Sequence, residues 1–487
     1  MKINPMLLTD FYKISHKIMS EKGTEKIYST FTPRGSRIKG INDVVFFGMQ
    51  GFIKDYLIDY FNENFFNLNK EDVVADYKRT IKYTIGEHCS DATHIEELHD
   101  LGHLPIKIMA VKEGTIVPLR VPVFTIENTD KRFYWLTNFL ETFVSASMWK
   151  VITATTIAKQ YRDICEEWAD KTADSHGHID WQCHNFSYRG MSGNEDAIVT
   201  GAGHLLFGTG TDTIPSIQYL EHFYNANIET ELVASSVLAT EHSIQCQYQD
   251  DYRYYKRMLT EVAPSGIISI VSDGYDYWNV IDKVIPSLKE VILARDGKLV
   301  VRPDSGDPVK IICGDNDSED ILIRKGSVEC LWDTFGGSIN SKGYKVLDSH
   351  IGLIYGDAIT PERAIEIFKQ LELKGFSSEN IVFGVGSYSL GFHTRDTFAF
   401  ALKATYTIIN GEERFIFKDP KTDDGTKTSQ RGKVAVLKND NGIYFKDGLT
   451  QKQYDSITDN LLEVVFEDGI LKRDETLKEI RGRVKSV

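Results

Sequence analysis

Hydrophobic and polar positions alternate in two different ways over the first 175 residues. Residues 46–66 and 134–169 carry apolar side chains at the spacing of helices. Residues 106–111 and 121–126 alternate as strands of a half-buried antiparallel sheet do. The two patterns follow no repeating order, which indicates an α+β region.

From about residue 180 to residue 390 the pattern changes to short β-branched runs separated by helical stretches, as in a parallel sheet wrapped by helices. Several of these runs end directly in polar residues, and a (β/α) barrel places its active site at such strand ends. An open doubly wound sheet would concentrate its site at one switch point, so the barrel is favoured. The predicted strands are residues 184–188, 232–237, 266–271, 299–301, 351–355 and 381–383.

After residue 395 the antiparallel pattern returns. Residues 398–409 and 414–417 read as a hairpin joined by Asn410-Gly411, and a second hairpin pairs 434–437 with 443–446. A polar loop occupies residues 423–433. The predicted fold class is α/β: a (β/α) barrel-like domain, residues 176–390, inserted into an α+β and antiparallel β domain built from residues 1–175 with 391–487.

Composition narrows the class of protein. Hydrophobic residues at 41% and charged residues at 26% are typical of a globular chain. A net charge of −14 argues against a nucleic-acid or anionic membrane surface, so an anionic ligand needs a local basic cluster. The six cysteines lack a CxxC pair, and no run approaches the roughly 18 apolar residues of a membrane span. We expect a cytoplasmic protein that binds neither nucleic acid nor membrane.

Three strand ends carry groups suited to phosphate and sugar. Residues 302–306, Arg-Pro-Asp-Ser-Gly, offer a guanidinium for phosphate and a carboxylate for a sugar hydroxyl or Mg²⁺. Gly356-Asp357 and residues 384–386, Gly-Val-Gly, are weaker signals that gain weight by recurring, because glycine lets backbone N–H groups approach a phosphate. Taken singly, each is as typical of a surface turn.

Several common nucleotide-binding and sugar-phosphate classes are excluded. The chain has neither GxxxxGK[ST] nor GxGxxG. The acidic pairs Asp250-Asp251 and Asp423-Asp424 do not follow apolar strands, unlike the loop of flavodoxin-like phosphoribosyltransferases. No predicted strand core holds the lysine of a Schiff-base aldolase.

His242 and Phe186 are the further candidates for chemistry. His242 follows the predicted strand 232–237, where it is either a phosphoryl acceptor or general acid/base, or a structural histidine. Phe186 precedes Arg189 at another strand end, so the ring can stack a planar ligand while the guanidinium binds phosphate. A core phenylalanine beside a surface arginine is an equally common arrangement.

Ten short motifs occur in an order that resembles the nicotinamide phosphoribosyltransferase family, the type II phosphoribosyltransferases, over about residues 5–475. They are residues 9–13, 134–138, 186–190, 210–213, 241–243, 271–273, 302–306, 356–357, 394–396 and 417–420. The resemblance implies a homodimeric, barrel-containing pentosyltransferase with composite active sites. Its reaction joins nicotinamide to the ribose of phosphoribosyl pyrophosphate with Mg²⁺, giving nicotinamide mononucleotide and diphosphate, and it hydrolyses ATP through a phosphohistidine.

The resemblance also assigns roles to residues. His242 would be the phosphorylated residue and Asp273 its orienting carboxylate. Phe186 and Tyr12 of the partner subunit would enclose the nicotinamide ring, with Asp212 accepting from its amide. The other implied substrate-binding residues are Arg189, Ser236, Ser269, Arg302, Asp304, Gly356, Asp357, Gly386 and Ser387, together with Arg34, Arg395, Lys403 and Lys418, which would bind phosphate across the dimer.

The sequence departs from the family at two places. A run of three glycines appears as Gly386-Ser387-Tyr388, which narrows the phosphate loop, and Ala401 stands where a serine hydroxyl is expected.

Two alternatives stay open. One is a nicotinate phosphoribosyltransferase, against which Asp212 argues because two carboxylates repel. The other is an inactive relative with a binding or signalling role, against which the retained His242, Asp273, Arg189 and Arg302 argue.

Overall fold

A computed structural model of the chain describes residues 3–356, 358–418 and 429–485. The chain forms two compact units, the first made of Met1–Thr156, Tyr219–Ala226 and His393–Val487, the second of Ile157–Gln218 and Asn227–Phe392. The sequence places the first boundary at residue 175, whereas the units divide after residue 156, within the helix Glu141–Thr172. A continuous helix gives the sequence no local signal of such a division.

The first unit contains a seven-stranded antiparallel sheet that combines strands from both ends of the chain. Thr24–Thr32 is a central strand and pairs on one side with Ala401–Ile409 and on the other with Phe124–Asn128. The ring of Phe31 stacks on Phe124 and on Phe400, with centroids 4.7 and 5.2 Å apart, so the two chain ends share one core. The strand order is Glu412–Phe415, Ala401–Ile409, Thr24–Thr32, Phe124–Asn128, Ile106–Ala110, Glu463–Glu467 and Ile470–Leu471.

Two short ladders and a set of helices complete this unit. The ladders pair Asp43–Val45 with Ile116–Pro118, and Lys433–Asn439 with Gly442–Leu449. A helix begins at Met49–Phe52 and continues with wider turns through Ile53–Tyr60 and Asn62–Phe66. The longer of the other helices are Lys70–Lys82, Thr93–Leu101, Glu141–Thr172, which continues into the second unit, and Leu477–Lys485.

The second unit is built on a closed parallel barrel. Six strands pair in parallel in the order Cys183–Asn185, Ile381–Val385, Ile351–Tyr355, Asp296–Arg302, Ser265–Val271 and Leu238–Ala239. Single parallel bridges join Asn185 to Thr211 and Gly210 to Ser235, just before the last of these strands. Residues 210–211 therefore act as a seventh segment that links the first strand to the last and closes the ring. Segments that are adjacent in the ring are also consecutive along the chain. This confirms the predicted barrel and the α/β fold class.

The barrel strands are apolar because both of their faces are covered. Ile268, Ile270, Leu299, Val301 and Leu353 are all almost fully buried. The longer helices around them are Asn194–His204, His242–Tyr248, Asp251–Arg257, Pro308–Cys313, Ser327–Phe335 and Pro361–Leu373, and a short hairpin pairs Gly337–Ile339 with Lys345–Leu347. In the part of the chain that the structure describes, no helix is both long and apolar enough to cross a membrane.

Several strand bounds differ from the prediction. The strand expected at 232–237 is wrong in position: only Ser235 bridges there, and the regular pairing is at Leu238–Ala239. The strand expected at 184–188 ends at Asn185, because the chain turns into a short 3₁₀ helix at Tyr188–Gly190. The strand expected at 398–409 begins at Ala401, after a 3₁₀ turn at Arg395–Thr397.

Candidate active site

A histidine and a carboxylate from neighbouring barrel segments form a pair at the carboxyl end of the barrel. His242 is the first residue of the helix His242–Tyr248, and Asp273 follows the strand Ser265–Val271. His242 Nε2 lies 2.9 Å from Asp273 Oδ1, and the histidine side chain is 46% exposed while that of the aspartate is 6% exposed. The pair therefore presents an imidazole to solvent with its carboxylate held behind it.

Both oxygens of Asp273 are engaged. Oδ2 accepts hydrogen bonds from the Asp304 backbone N–H at 3.0 Å and from the Ser305 hydroxyl. Burial alone would raise the pKa of Asp273, but the hydrogen bonds from Ser305, Asp304 and His242 together bring that pKa below its ordinary value. The carboxylate is thus a fixed, ionised acceptor beside the imidazole.

Gln245, which the sequence reasoning missed, supports this pair. It lies one turn after His242 on the same helix and is buried. Its Oε1 accepts from the Gly274 backbone N–H at 3.0 Å, and its Nε2 donates to Asp251 at 2.8 Å. A Cβ at Gly274 would lie 2.6 Å from that Oε1, so the close approach needs glycine. The glutamine fixes the loop that carries Asp273 to the helix that carries His242.

Arg302 ends the strand Asp296–Arg302 and is mostly buried. Its Nη2 donates to the Thr240 carbonyl at 2.6 Å, and its Nε lies 3.5 Å from Asp304 Oδ1. The guanidinium therefore makes contacts within the barrel, and Arg302 is a mostly buried side chain rather than an exposed, mobile one.

Gly356 must be a glycine at this mouth. A Cβ there would lie 1.9 Å from Asp304 Oδ1, so only glycine lets the chain after strand Ile351–Tyr355 pass the carboxylate. Asp357 lies outside the described residues. Ser269 is buried on the strand Ser265–Val271, and its hydroxyl has no hydrogen-bond partner among the described residues. A buried unpaired hydroxyl is suited to a ligand.

A second cluster lies on the strand segments that close the barrel. Asp212 Oδ1 accepts from Ser236 Oγ and lies at the same distance, 2.8 Å, from His184 Nε2. The His184 ring also packs against that of Phe186, with centroids 4.6 Å apart. Burial would raise the pKa of Asp212, but the hydrogen bond and charge of His184, with help from Ser236 and Arg302, bring it below its ordinary value. This is a flat aromatic surface beside an ionised acceptor.

The segment around Arg189 completes the mouth. Arg189 is exposed within the turn Tyr188–Gly190. A Cβ at Gly190 would lie 1.9 Å from Ser387 Oγ, so the serine that departs from the family pattern packs directly on this glycine. Gly386 precedes the short helix Ser387–Leu390. Tyr388 is exposed and stacks in parallel on Phe392.

The other predicted site residues belong to the first unit, and all of them are exposed. Tyr12 lies in the short helix Phe11–Ile14, edge-on to the His16 ring at 5.3 Å. Arg34 Nε donates to the Ala399 carbonyl at 3.0 Å, which ties the end of one central strand to the segment before the next. Arg395 pairs with Asp396, Lys403 lies opposite Thr30 in the sheet, and the Lys418 backbone N–H donates to Ser429.

The described side chains do not form a metal centre of their own. No group of three or more histidine, cysteine, aspartate or glutamate side chains lies close enough to hold a cation among residues 3–356, 358–418 and 429–485. The carboxylates at the mouth, Asp212 and Asp273, are both engaged with histidine and serine donors.

Comparison with protein families gives two matches that together span most of the chain. Residues 181–470 match the model of the nicotinate phosphoribosyltransferase family. Residues 4–108 match the model of the nicotinamide phosphoribosyltransferase N-terminal domain. The first match covers the barrel and much of the C-terminal region.

Full-length relatives agree with these matches. A nicotinamide phosphoribosyltransferase of Acinetobacter baylyi is 46% identical over 497 residues, covering 99% of this chain and 97% of the relative. One from Xanthomonas campestris is 32% identical and covers 98% of this chain and 97% of the relative. One from Mycoplasma pneumoniae is 34% identical and covers 88% of this chain and 94% of the relative.

Solved structures show the same fold at much lower identity. Human nicotinic acid phosphoribosyltransferase aligns with a TM-score of 0.59 at 13% identity, covering 99% of this chain and 93% of the human chain. A nicotinate-nucleotide pyrophosphorylase of Pyrococcus furiosus aligns with a TM-score of 0.58 at 15% identity, covering 100% and 95%.

Proposed function

The chain belongs to the nicotinate phosphoribosyltransferase family, and within it to the nicotinamide phosphoribosyltransferases, and we propose that it joins nicotinamide to the phosphoribosyl group of phosphoribosyl pyrophosphate. The products are nicotinamide mononucleotide and diphosphate. The observation that carries the choice of substrate is the ionised Asp212, which is bonded to the His184 ring that packs against Phe186. A primary amide can donate a hydrogen bond to that carboxylate, whereas the carboxylate of nicotinate is repelled by it.

The chemistry needs positioning more than covalent catalysis. The nicotinamide ring nitrogen attacks the anomeric carbon, a carbon–nitrogen bond forms, and the carbon–oxygen bond breaks with its electron pair leaving on diphosphate. Phe186 holds the flat ring and Asp212 sets its rotation, which aligns the attacking nitrogen. Arg189 and Arg302 place positive charge where the leaving group develops negative charge. Asp304 and Ser269 supply polar groups for the ribose.

We propose that Mg²⁺ arrives with the substrate. Mg²⁺ in proteins is commonly held by substrate phosphates with one or two carboxylates. Asp304 is the described carboxylate placed to contribute one oxygen. Bound there, the ion would neutralise charge on the departing diphosphate.

His242 is the proposed phosphoryl acceptor from ATP. Because Asp273 is ionised, it can only accept, so the ring nitrogen facing it carries the proton and the other nitrogen keeps a lone pair. That nitrogen attacks the terminal phosphorus of ATP, and ADP leaves with the bridging oxygen. Hydrolysis of the phosphohistidine then returns the imidazole and releases phosphate. Asp273 stabilises the charge that the ring acquires.

The assembly we propose is a homodimer with composite sites, in a reducing, cytoplasmic compartment. Tyr12, Arg34, Arg395, Lys403 and Lys418 are exposed residues of the first unit, so a partner subunit can receive them. All six cysteines are free thiols, which a reducing compartment preserves.

Asp212→Ser tests the proposed function. The parent should form nicotinamide mononucleotide with a far higher kcat/KM for nicotinamide than for nicotinate, and the variant should narrow that ratio by about 10- to 100-fold. Asp333→Ser is the matched control, since Asp333 is an exposed carboxylate paired with Lys325 on another helix, and it should keep the parental ratio. Equal efficiency of the parent with both substrates would refute the assignment.

A further inference from the structure

His184 is held more firmly than a ring that merely lines a pocket. Its side chain is 12% exposed, and its ring packs against Phe186 on one side. The ring also approaches Gly210, where a Cβ would lie 2.9 Å from His184 Nδ1. The chain therefore needs glycine at position 210 to admit this ring. Because the ring is largely buried and in contact with Phe186 and Gly210, it has little room to turn Nε2 in another direction.

His184 Nε2 faces one carboxylate oxygen of Asp212, Oδ1. The His184 Nε2 and the Ser236 hydroxyl both lie 2.8 Å from Oδ1. Since an ionised carboxylate only accepts, the His184 Nε2 carries a proton and donates it. Among the described residues, both donors use Oδ1, so Oδ2 stays available. The Asp212 side chain is 44% exposed, which leaves this second oxygen open to a ligand.

We infer that His184 is a positioning residue that determines the substrate choice of this site. Together with Ser236 it saturates Oδ1 of Asp212 and turns Oδ2 into an oriented acceptor for a primary carboxamide. This inference rests on the proposed function and extends it to a residue that acts through Asp212. A ligand with two N–H donors satisfies Oδ2, while one with only acceptors in that place leaves it unpaired.

The direct test replaces the donor but keeps an aromatic ring. In His184→Phe the contact with Phe186 can persist, yet Oδ1 of Asp212 loses one donor and the carboxylate is free to rotate. The nicotinamide-to-nicotinate ratio of kcat/KM should fall by about tenfold, mainly through a higher KM for nicotinamide. His184→Gln, whose amide NH₂ can reach Oδ1, should restore most of the ratio.

A second variant disturbs the ring without replacing it. Gly210→Ala would place a methyl group against His184 Nδ1 and should lower the same ratio. Both variants should lose their effect on the ratio in an Asp212→Asn background, because they act through that carboxylate.

The outcomes separate the two claims. A parent with no preference for nicotinamide would count against the proposed function itself. Two results would overturn the role of His184 alone. In the first, His184→Phe and Gly210→Ala leave the parental preference unchanged. In the second, they lower the ratio in the Asp212→Asn background by as much as they do in the parent. A folded His184→Phe that loses activity on both substrates by the same factor would also overturn it.

Discussion

The two carboxylates at the barrel mouth are each fixed by a histidine and a serine. Asp273 is bonded to His242 and Ser305, and Asp212 to His184 and Ser236. In both, burial would raise the pKa, but hydrogen bonds and neighbouring positive charge together bring the pKa below its ordinary value. Each carboxylate is therefore ionised and oriented before a substrate arrives, which spares the reaction the cost of ordering it.

His242→Ala should remove the coupling to ATP. Because the imidazole is the proposed phosphoryl acceptor, nicotinamide-stimulated ATP hydrolysis should be lost in this variant, and so should any gain in transferase activity from ATP. A weak transferase activity should remain, because Phe186 and Asp212 still align the substrates. The measurement is acid-labile phosphate on the protein after incubation with labelled ATP.

The chain offers a matched control for this variant. His176 Nε2 lies 2.8 Å from Asp170 Oδ1, in a surface pair with nearly the same geometry as His242 and Asp273. His176→Ala should keep the full phosphate signal. Labelled phosphate that persists in His242→Ala would disprove the assignment of the acceptor.

At the residue scale, the sequence points more readily to the residues proposed to carry chemistry than to the residues proposed to orient them. His242 and Arg302 stand out because each follows a predicted strand, and Phe186 stands out because it precedes Arg189 at another predicted strand end. His184 gives only one signal: its spacing of two from Phe186, which puts both on one side of a strand. Gln245 is an ordinary polar residue in a helix, and its contact with Gly274 is made across 29 residues of chain.

At the scale of elements, the predicted strands locate the barrel but not its closure. The closing segment around Gly210 makes single bridges rather than a regular ladder. Because so few of its residues are paired, it needs no alternation of apolar and polar residues, and the sequence shows no strand pattern there. The strand predicted at 232–237 is displaced for the same reason, because only Ser235 pairs there. Strands such as Ile351–Tyr355, which are buried along their length, agree with the prediction.

The helix that begins at Met49 has a buried cap whose charge depends on pH. Glu113 accepts from the backbone N–H groups of Gly48 at 2.9 Å and Gln50 at 2.6 Å, and from the Tyr224 hydroxyl at 3.0 Å. Burial raises the pKa of Glu113, and these three donors lower it. Because burial has the larger effect, the pKa rises from 4.5 to about 7. The folded chain therefore binds a proton that the unfolded chain has released at pH 5 to 7.

This raised pKa predicts a loss of stability on the alkaline side. The contribution of Glu113 is fully present below pH 4.5 and is lost as the pH rises through about 7. Between pH 5 and pH 8 the Tm of the wild type should fall by about 2–4 °C more than that of Glu113→Gln. The exposed Glu97→Gln should behave like the wild type. Parallel Tm profiles for Glu113→Gln and the wild type would contradict the assignment.

At the scale of the whole molecule, the sequence separates the barrel from the terminal regions, and the terminal regions contribute strands to one sheet. The sequence does not reveal the boundary between the two units after residue 156, because the helix Glu141–Thr172 continues through it. The proposed composite site divides the functional residues in the same way. His242, Phe186 and Asp212 come from the second unit, and Tyr12 and Arg395 from the first.

Subunit mixing tests this division. A Tyr12→Ala, Arg395→Ala subunit and a His242→Ala subunit should each lack ATP-coupled activity alone. In a mixed dimer with shared sites, one site collects all the substitutions and the other is intact. Random pairing of equal amounts should therefore restore about a quarter of the wild-type coupled activity. Verified exchange without any recovery, or an active monomer at assay concentration, would rule out shared sites.

A competition in one vessel tests the central claim most directly. The wild-type protein is given equal concentrations of nicotinamide and nicotinate with limiting phosphoribosyl pyrophosphate, Mg²⁺ and ATP, and both mononucleotides are measured as they form. Their ratio reports the ratio of the two kcat/KM values without any need to measure either alone. We expect nicotinamide mononucleotide in at least about a hundredfold excess. Nicotinate mononucleotide in equal or greater amount would contradict the account.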